Sequence, residues 1–192
     1  MKCITIIFIT LFIFVSKINA QAPSVENSLW GVQVGIHPLA IYKETKLTTT
    51  INLRSELGFG VAWAKNGSYQ YSDQWAIIPC IVLEPRFYYN LKKRLEKNKR
   101  IDGNSGNFVS LYIGFEPGFG IVSKDVNLFP TLSTIPMWGL KRNIVEKFNF
   151  ETALGIGYSW TYEKHTQFNG NKIRNTATDI AFGLRLAFGY KF

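Results

Sequence analysis

Few residues of this 192-residue chain are of types that do chemistry, and their spacing limits what that chemistry could be. There are two histidines, His37 before Pro38 and His165. A metal centre needs several His, Cys or carboxylate ligands at short, defined spacings, and neither histidine has them. Nucleophilic catalysis needs a hydroxyl or thiol, a base, and a group that orients the base. Ser159, Glu163 and His165 are close in sequence and of those types. We read them as ordinary residues of a strand end and its loop. The expectation is no catalytic residue, no cofactor-binding residue and no metal ligand. Gly118-Phe119-Gly120 and Gly155-Ile156-Gly157 are not followed by a helix, as a phosphate cradle would require. They read as residues that make room for neighbouring side chains.

The elements that carry these residues are legible from alternation. Ile51, Leu53, Ser55, Leu57, Phe59, Val61 and Trp63 alternate with Asn52, Arg54, Glu56, Gly58, Gly60, Ala62 and Ala64. Phe148 to Tyr162 and Ile180 to Phe192 repeat the pattern, with Gly, Ala and a few charges on the smaller parity. A period of two over such lengths means strands with two unlike faces, and excludes helix. Eight strands are predicted, over 29–36, 39–47, 51–64, 76–90, 107–121, 133–142, 148–163 and 176–192. Lys65-Asn66-Gly67-Ser68, Asp102-Gly103-Asn104-Ser105-Gly106 and Phe168-Asn169-Gly170-Asn171 supply turn signals between them. The first two strands could instead be one, running through His37-Pro38. Pro79, Pro85, Pro117 and Pro136 fall in or beside strands, where each removes a ladder donor and predicts a bulge.

The chain begins with Lys2, an apolar stretch from Ile4 to Val15, and Ser16-Lys17-Ile18-Asn19-Ala20. A positive head, a short apolar core and small exit residues describe a secretory signal peptide over 1–20, with cleavage before Gln21. Residues 21–192 then form one domain. Cys3 leaves with the leader, so Cys80 stands alone and no intramolecular disulfide can form. The formal charge of +9, less Lys2 and Lys17, leaves +7, and much of it lies between Lys92 and Arg100. Such a cluster can meet anionic lipid or simply line a solvated turn; export argues against nucleic acid.

The hydrophobic fraction is 46%, the aromatic fraction 15% and the mean hydropathy +0.01. No run after residue 20 approaches the roughly 20 apolar residues of a membrane helix. A soluble exported ring would turn Lys, Glu, Thr and Asn toward water, whereas here the less apolar parity is mainly Gly and Ala. Small residues suit the crowded lumen of a narrow tube, and the bulky parity suits lipid. Trp63, Trp75 and Trp160 fall near one set of strand ends, and Trp30, Tyr89, Phe148, Tyr190 and Phe192 near the other, as two interfacial girdles would. The reading is an all-β, eight-stranded, antiparallel, up-and-down transmembrane β-barrel.

That reading places Glu44, Arg54, Glu56, Glu84, Arg86, Glu116, Lys141, Glu151, Asp179 and Arg185 in the lumen. A basic group at mid-depth on the lipid face would cost about 2–4 kcal/mol. Charges confined to a narrow lumen must pair, so Arg54, Glu56, Glu84, Arg86, Glu116, Glu151, Asp179 and Arg185 are expected to form an ion-pair network that plugs the tube.

The closing run Leu184-Arg185-Leu186-Ala187-Phe188-Gly189-Tyr190-Lys191-Phe192 resembles the C-terminal signature of outer-membrane β-barrel proteins. In size and strand number the chain from about residue 28 is similar to small barrels of the OmpA/OmpX type. The resemblance implies outer-membrane localisation, contact with outer-membrane lipid, and recognition of Phe188, Tyr190 and Phe192 by the barrel-assembly machinery. A monomer with no cofactor and no nucleic-acid partner is expected, serving as a non-enzymatic structural or surface-binding protein. The alternative is a lipid-modifying enzyme, since small outer-membrane lipid A deacylases and acyltransferases use serine and histidine. No motif of theirs is present.

Overall fold

A computed structural model describes residues 23–36, 39–65, 73–123, 127–166 and 172–192. The proposed leader, the His37-Pro38 turn and the turn residues 66–72 and 167–171 lie outside them, as do 124–126. Alternation gives strands wherever it is unbroken: β1 (Ser28–Gly35), β2 (Leu39–Lys46), β3 (Ile51–Lys65), β4 (Asp73–Tyr88), β5 (Gly106–Pro117), β6 (Ile121–Val122), β7 (Pro130–Asn143), β8 (Phe148–Thr166) and β9 (Lys172–Lys191). The first two predicted strands are separate. The long fifth one is broken, because Gly118 turns the chain at φ 73° between β5 and β6.

Every pairing is antiparallel, and β3–β4 pairing closes the order β3-β2-β1-β9-β8-β7-β5-β4 into a ring of eight strands. The two-residue β6 adds to β4 at the ring's edge. The chain direction defines two ends. The base carries residue 28, the short β2–β3 and β7–β8 turns, the β4–β5 connection and the C-terminus. The mouth carries the other turns.

The prolines perturb the ring less than their number predicts. Pro85 stays in register with Leu53 on β3, and Pro136 with Leu111 on β5. Their other ladders lapse locally and resume unshifted, as between Thr134↔Tyr158 and Met137↔Gly155. A missing donor costs a bond there without inserting a residue, so the bulges expected at Pro85 and Pro136 do not form. A shift occurs only around Pro79 and Pro117. Between Ile81↔Phe115 and Ile77↔Ile121, β4 advances four residues and the opposite chain six. Glycine works by close approach as well as by making room: a methyl on Gly155 or Gly157 would strike the carbonyl oxygens of Pro136 and Thr134 on β7.

Parity sorts the side chains as alternation predicts. On β3, Asn52, Arg54, Glu56 and Gly58 are buried inside the ring, while Leu57 is 61% exposed on its outer face. On β8 and β9 the outer face carries Leu154, Ile156, Ile180, Phe182, Leu184 and Phe188, all exposed. Trp30, Tyr89, Phe148 and Phe192 are exposed at the base end, and Trp75, Tyr158 and Tyr162 toward the mouth.

The base is covered by the chain itself. The basic stretch is not a simple turn: Leu91–Glu96 forms a short helix, α1, whose Leu91 is buried against Tyr88, Phe108 and Val25. Lys92, Lys93, Lys97, Lys99 and Arg100 stay exposed. A 3-10 turn, Asp102–Asn104, follows beneath the ring. The amide of Glu26 donates to Asn104 Oδ1 at 2.7 Å, and the Gly103 amide donates to the Glu26 carboxylate. Both Gly103 and Asn104 adopt φ near 59° there.

Candidate functional site

The site is built from inward positions on six strands. β2 supplies Glu44, β3 Arg54 and Glu56, β4 Glu84 and Arg86, β7 Lys141, β8 Glu151 and β9 Arg185. Register sets them at one level: Glu44 lies opposite Arg54, Arg54 opposite Glu84, Lys141 opposite Glu151, and Arg185 opposite Ala153, two residues beyond Glu151. Antiparallel pairing puts facing side chains within reach of one another, and the ring's curvature turns all eight toward a common axis.

The result is a closed lattice of four acids and four bases. Glu151 meets three guanidinium groups, Arg86 at 2.7 Å, Arg185 at 2.9 Å and Arg54 at 3.7 Å. Glu84 is shared by Arg185 at 2.6 Å and Arg86 at 2.8 Å. Glu56 takes Arg54 at 2.8 Å and Arg185 at 3.8 Å. Glu44 joins Lys141 at 2.7 Å, Arg54 at 3.2 Å and Arg86 at 3.5 Å. The Arg54 and Arg86 side chains have no exposed surface. Desolvating ions is expensive, and each of these cations meets carboxylates within ion-pair distance, although Arg86 Nε has no hydrogen-bond partner among the described residues.

Neutral groups extend the lattice. Gln33 accepts from Arg54 at 2.5 Å and donates to Glu56, and Asn52 donates to Glu44. Ser110 donates to Glu84 at 2.6 Å, and Asn104 reaches up from the base to Glu44 at 2.6 Å. Arg54 lies over the Tyr42 ring at 3.8 Å and Arg86 over Phe108 at 4.5 Å, placing each cation on the negative face of an aromatic. Gln33, Asn52, Ser110 and Asn104 were not singled out from the sequence. Inward parity was the signal that could have found the three on strands; nothing local marks Asn104.

Of the expected network, Arg54, Glu56, Glu84, Arg86, Glu151 and Arg185 come together, joined by Glu44 and Lys141. Glu116 and Asp179 do not. Among the described residues neither forms an ion pair, Glu116 being half-buried and Asp179 exposed. The reason is distance along the strands. Glu116 is six residues past Ser110, and Asp179 six before Arg185, about 20 Å at the rise of an extended strand. The plug therefore fills only the base half of the ring. Above it opens a cavity of about 430 Å³, lined by Tyr112, Glu116, Ser133, Met137, Ser159 and Arg185 among others.

The remaining candidates stay apart. Ser159, Glu163 and His165 lie on β8, where extended geometry sets the first two about 13 Å apart and the first and last about 20 Å. Cys80 is buried and unpaired. No group of three His, Cys, Asp or Glu able to hold a metal occurs among the described residues. Phe188 and Phe192 are exposed on β9 and at its end, and Tyr190 packs edge-on with Phe148 at 5.2 Å and Phe192 at 5.7 Å. At the base, hydrogen bonds from Arg100 hold the Asp102 carboxyl down to about 2.

No protein-family model, no curated protein and no solved structure matches this chain.

Proposed function

We propose that this chain is a small outer-membrane β-barrel, exported by its leader and inserted as a monomer, with a non-enzymatic structural or surface-binding role. One observation carries the reading: the closed sheet is inside out for a water-soluble protein. Its outer face is a continuous band of exposed apolar side chains, among them Leu57, Ile81, Leu154, Ile156, Ile180 and Leu184, each more than half exposed. Its inner face holds the charges. Soluble monomers rarely expose contiguous apolar patches beyond a few hundred Å², whereas a membrane barrel requires such a band. Trp30, Tyr89, Phe148 and Phe192 at one rim and Trp75 and Tyr162 toward the other suit the two interfaces.

In this reading the partners are outer-membrane lipid around the band and the barrel-assembly machinery at Phe188, Tyr190 and Phe192. The ion-pair lattice and the capped base make the barrel a closed one, with the mouth turns facing the environment. Expression of the full chain in a Gram-negative host tests it. The protein should resist carbonate extraction from the outer-membrane fraction and migrate faster on a gel unboiled than boiled. A carbonate-soluble product with one mobility would sink the proposal.

A further inference from the structure

The mouth half of the ring is built differently from the base half. β1 and β2 are eight residues each, while their neighbours β9 and β3 have 20 and 15. Pairing of β1 with β9 stops at Gly35↔Ala187, and that of β2 with β3 at Leu39↔Phe59. Beyond those points and the bond from the Ile36 amide to the Leu186 carbonyl, among the described residues β9 pairs only with β8 and β3 only with β4. The wall is thus notched above the short hairpin, with Ile36, Leu184 and the 79%-exposed Phe182 beside it. The same three residues line the cavity of about 430 Å³, a volume within the range of small-molecule sites.

Its chemistry is one-sided. Ile135, Met137 and Ala181 provide an apolar wall, and Ser133 and Ser159 hydroxyl groups. Register places Glu116 opposite Thr131, and Ser159 opposite both Ser133 and Asp179. Arg185 forms the floor, but three carboxylates already occupy it. Glu116 has no ion pair or hydrogen bond among the described residues. Near the cavity, Glu116 and Asp179 hold inward positions, and neither forms an ion pair among the described residues. An anion entering here would meet uncompensated negative charge, whereas a cation would find a carboxylate.

We infer that this cavity is a binding site for a small aliphatic amine, its alkyl chain against Ile135, Met137 and Ala181 and its ammonium group donating to Glu116. The inference goes beyond the barrel reading, because register places Glu116, Ser133, Met137 and Ser159 inside the ring independently of where the protein resides. Met137 is the only methionine after Met1, so a 13C-labelled methionine methyl reports from inside the cavity, with Met137→Leu assigning its signal. The refolded full chain, first checked for its unboiled gel mobility, is titrated with hexylamine, hexanol and hexanoate. Hexylamine should shift the Met137 methyl saturably, hexanol about ten-fold more weakly for want of a charge-assisted bond, and hexanoate not at all. Glu116→Gln should weaken hexylamine about ten-fold, to the level of hexanol. Ser159→Trp, which fills the cavity, should abolish the shift. No saturable shift, hexanoate binding as tightly as hexylamine, or unchanged hexylamine affinity in Glu116→Gln would each overturn the site. So would a shift that persists in folded Ser159→Trp. The gel check separates a chain that has failed to form its ring from one that forms it and binds nothing.

Discussion

The two halves of the ring interior are made of the same strands and differ in what their inward positions carry. In the base half, four acids meet four bases, all buried, and neutral side chains and the base connection add further hydrogen bonds. In the mouth half, Glu116 and Asp179 form no ion pair among the described residues, and space replaces contact. A ring of strands does not by itself decide whether its lumen is solid or open. That depends on whether each ionisable group finds an opposite charge within a residue or two of its own level. Where it does, the charges can afford to lose water. Where it does not, the lumen stays open.

The contrast can be broken most directly by removing one acid from each half. Glu151→Gln leaves three buried arginines short of a partner, and should cost about 3–5 kcal/mol. It is read as the urea midpoint of the compact band in lipid vesicles. Glu116→Gln in the mouth half should stay within about 0.5 kcal/mol of the parent in the same assay, as surface-like changes do. Equal losses would mean that the two halves are electrostatically alike.

The outer face gives the next largest effect. On the proposed membrane reading, Leu154→Arg or Leu184→Arg should cost about 2–4 kcal/mol and lower the membrane-retained fraction, because a cation at mid-depth in lipid must leave water. If charges at these positions or at Leu57 left assembly unchanged, the bulky parity would not face lipid.

Asn104→Ala sharpens the comparison at the base. It deletes the bonds to Glu44 and to the Glu26 amide, and should cost about 1–3 kcal/mol. The parent should carry no ion current in a planar bilayer; current in the parent would show that the base half is not sealed.

The smallest effect belongs to Asp102. Its folded value of about 2 lies below the ordinary Asp value of about 3.9. It therefore stabilises the folded base fully above pH 4, and loses that contribution as the pH falls toward 2. Asp102→Asn should be slightly less stable than the parent at pH 7, and the gap should close between pH 4 and 2. A pH-independent gap would detach the effect from the Arg100 contact.

Alternation alone marked where most strands run, their faces and the set of inward charges, though not the break at Gly118, because a period of two is written into the sequence wherever one face is unlike the other. It did not fix level. Glu116 and Arg86 share the inward parity, and only register and the length of each strand show that one stands far above the plug and the other inside it. The proline effects were illegible for a related reason: whether a lost donor forces a bulge depends on the neighbouring ladder, which held at Pro85 and Pro136 and slipped between Pro79 and Pro117. Nor could composition reveal that Asn104 and Leu91 close the base, since that contact joins a loop to strands through three dimensions. Sequence set which way each side chain points; the closed ring decided which of them meet.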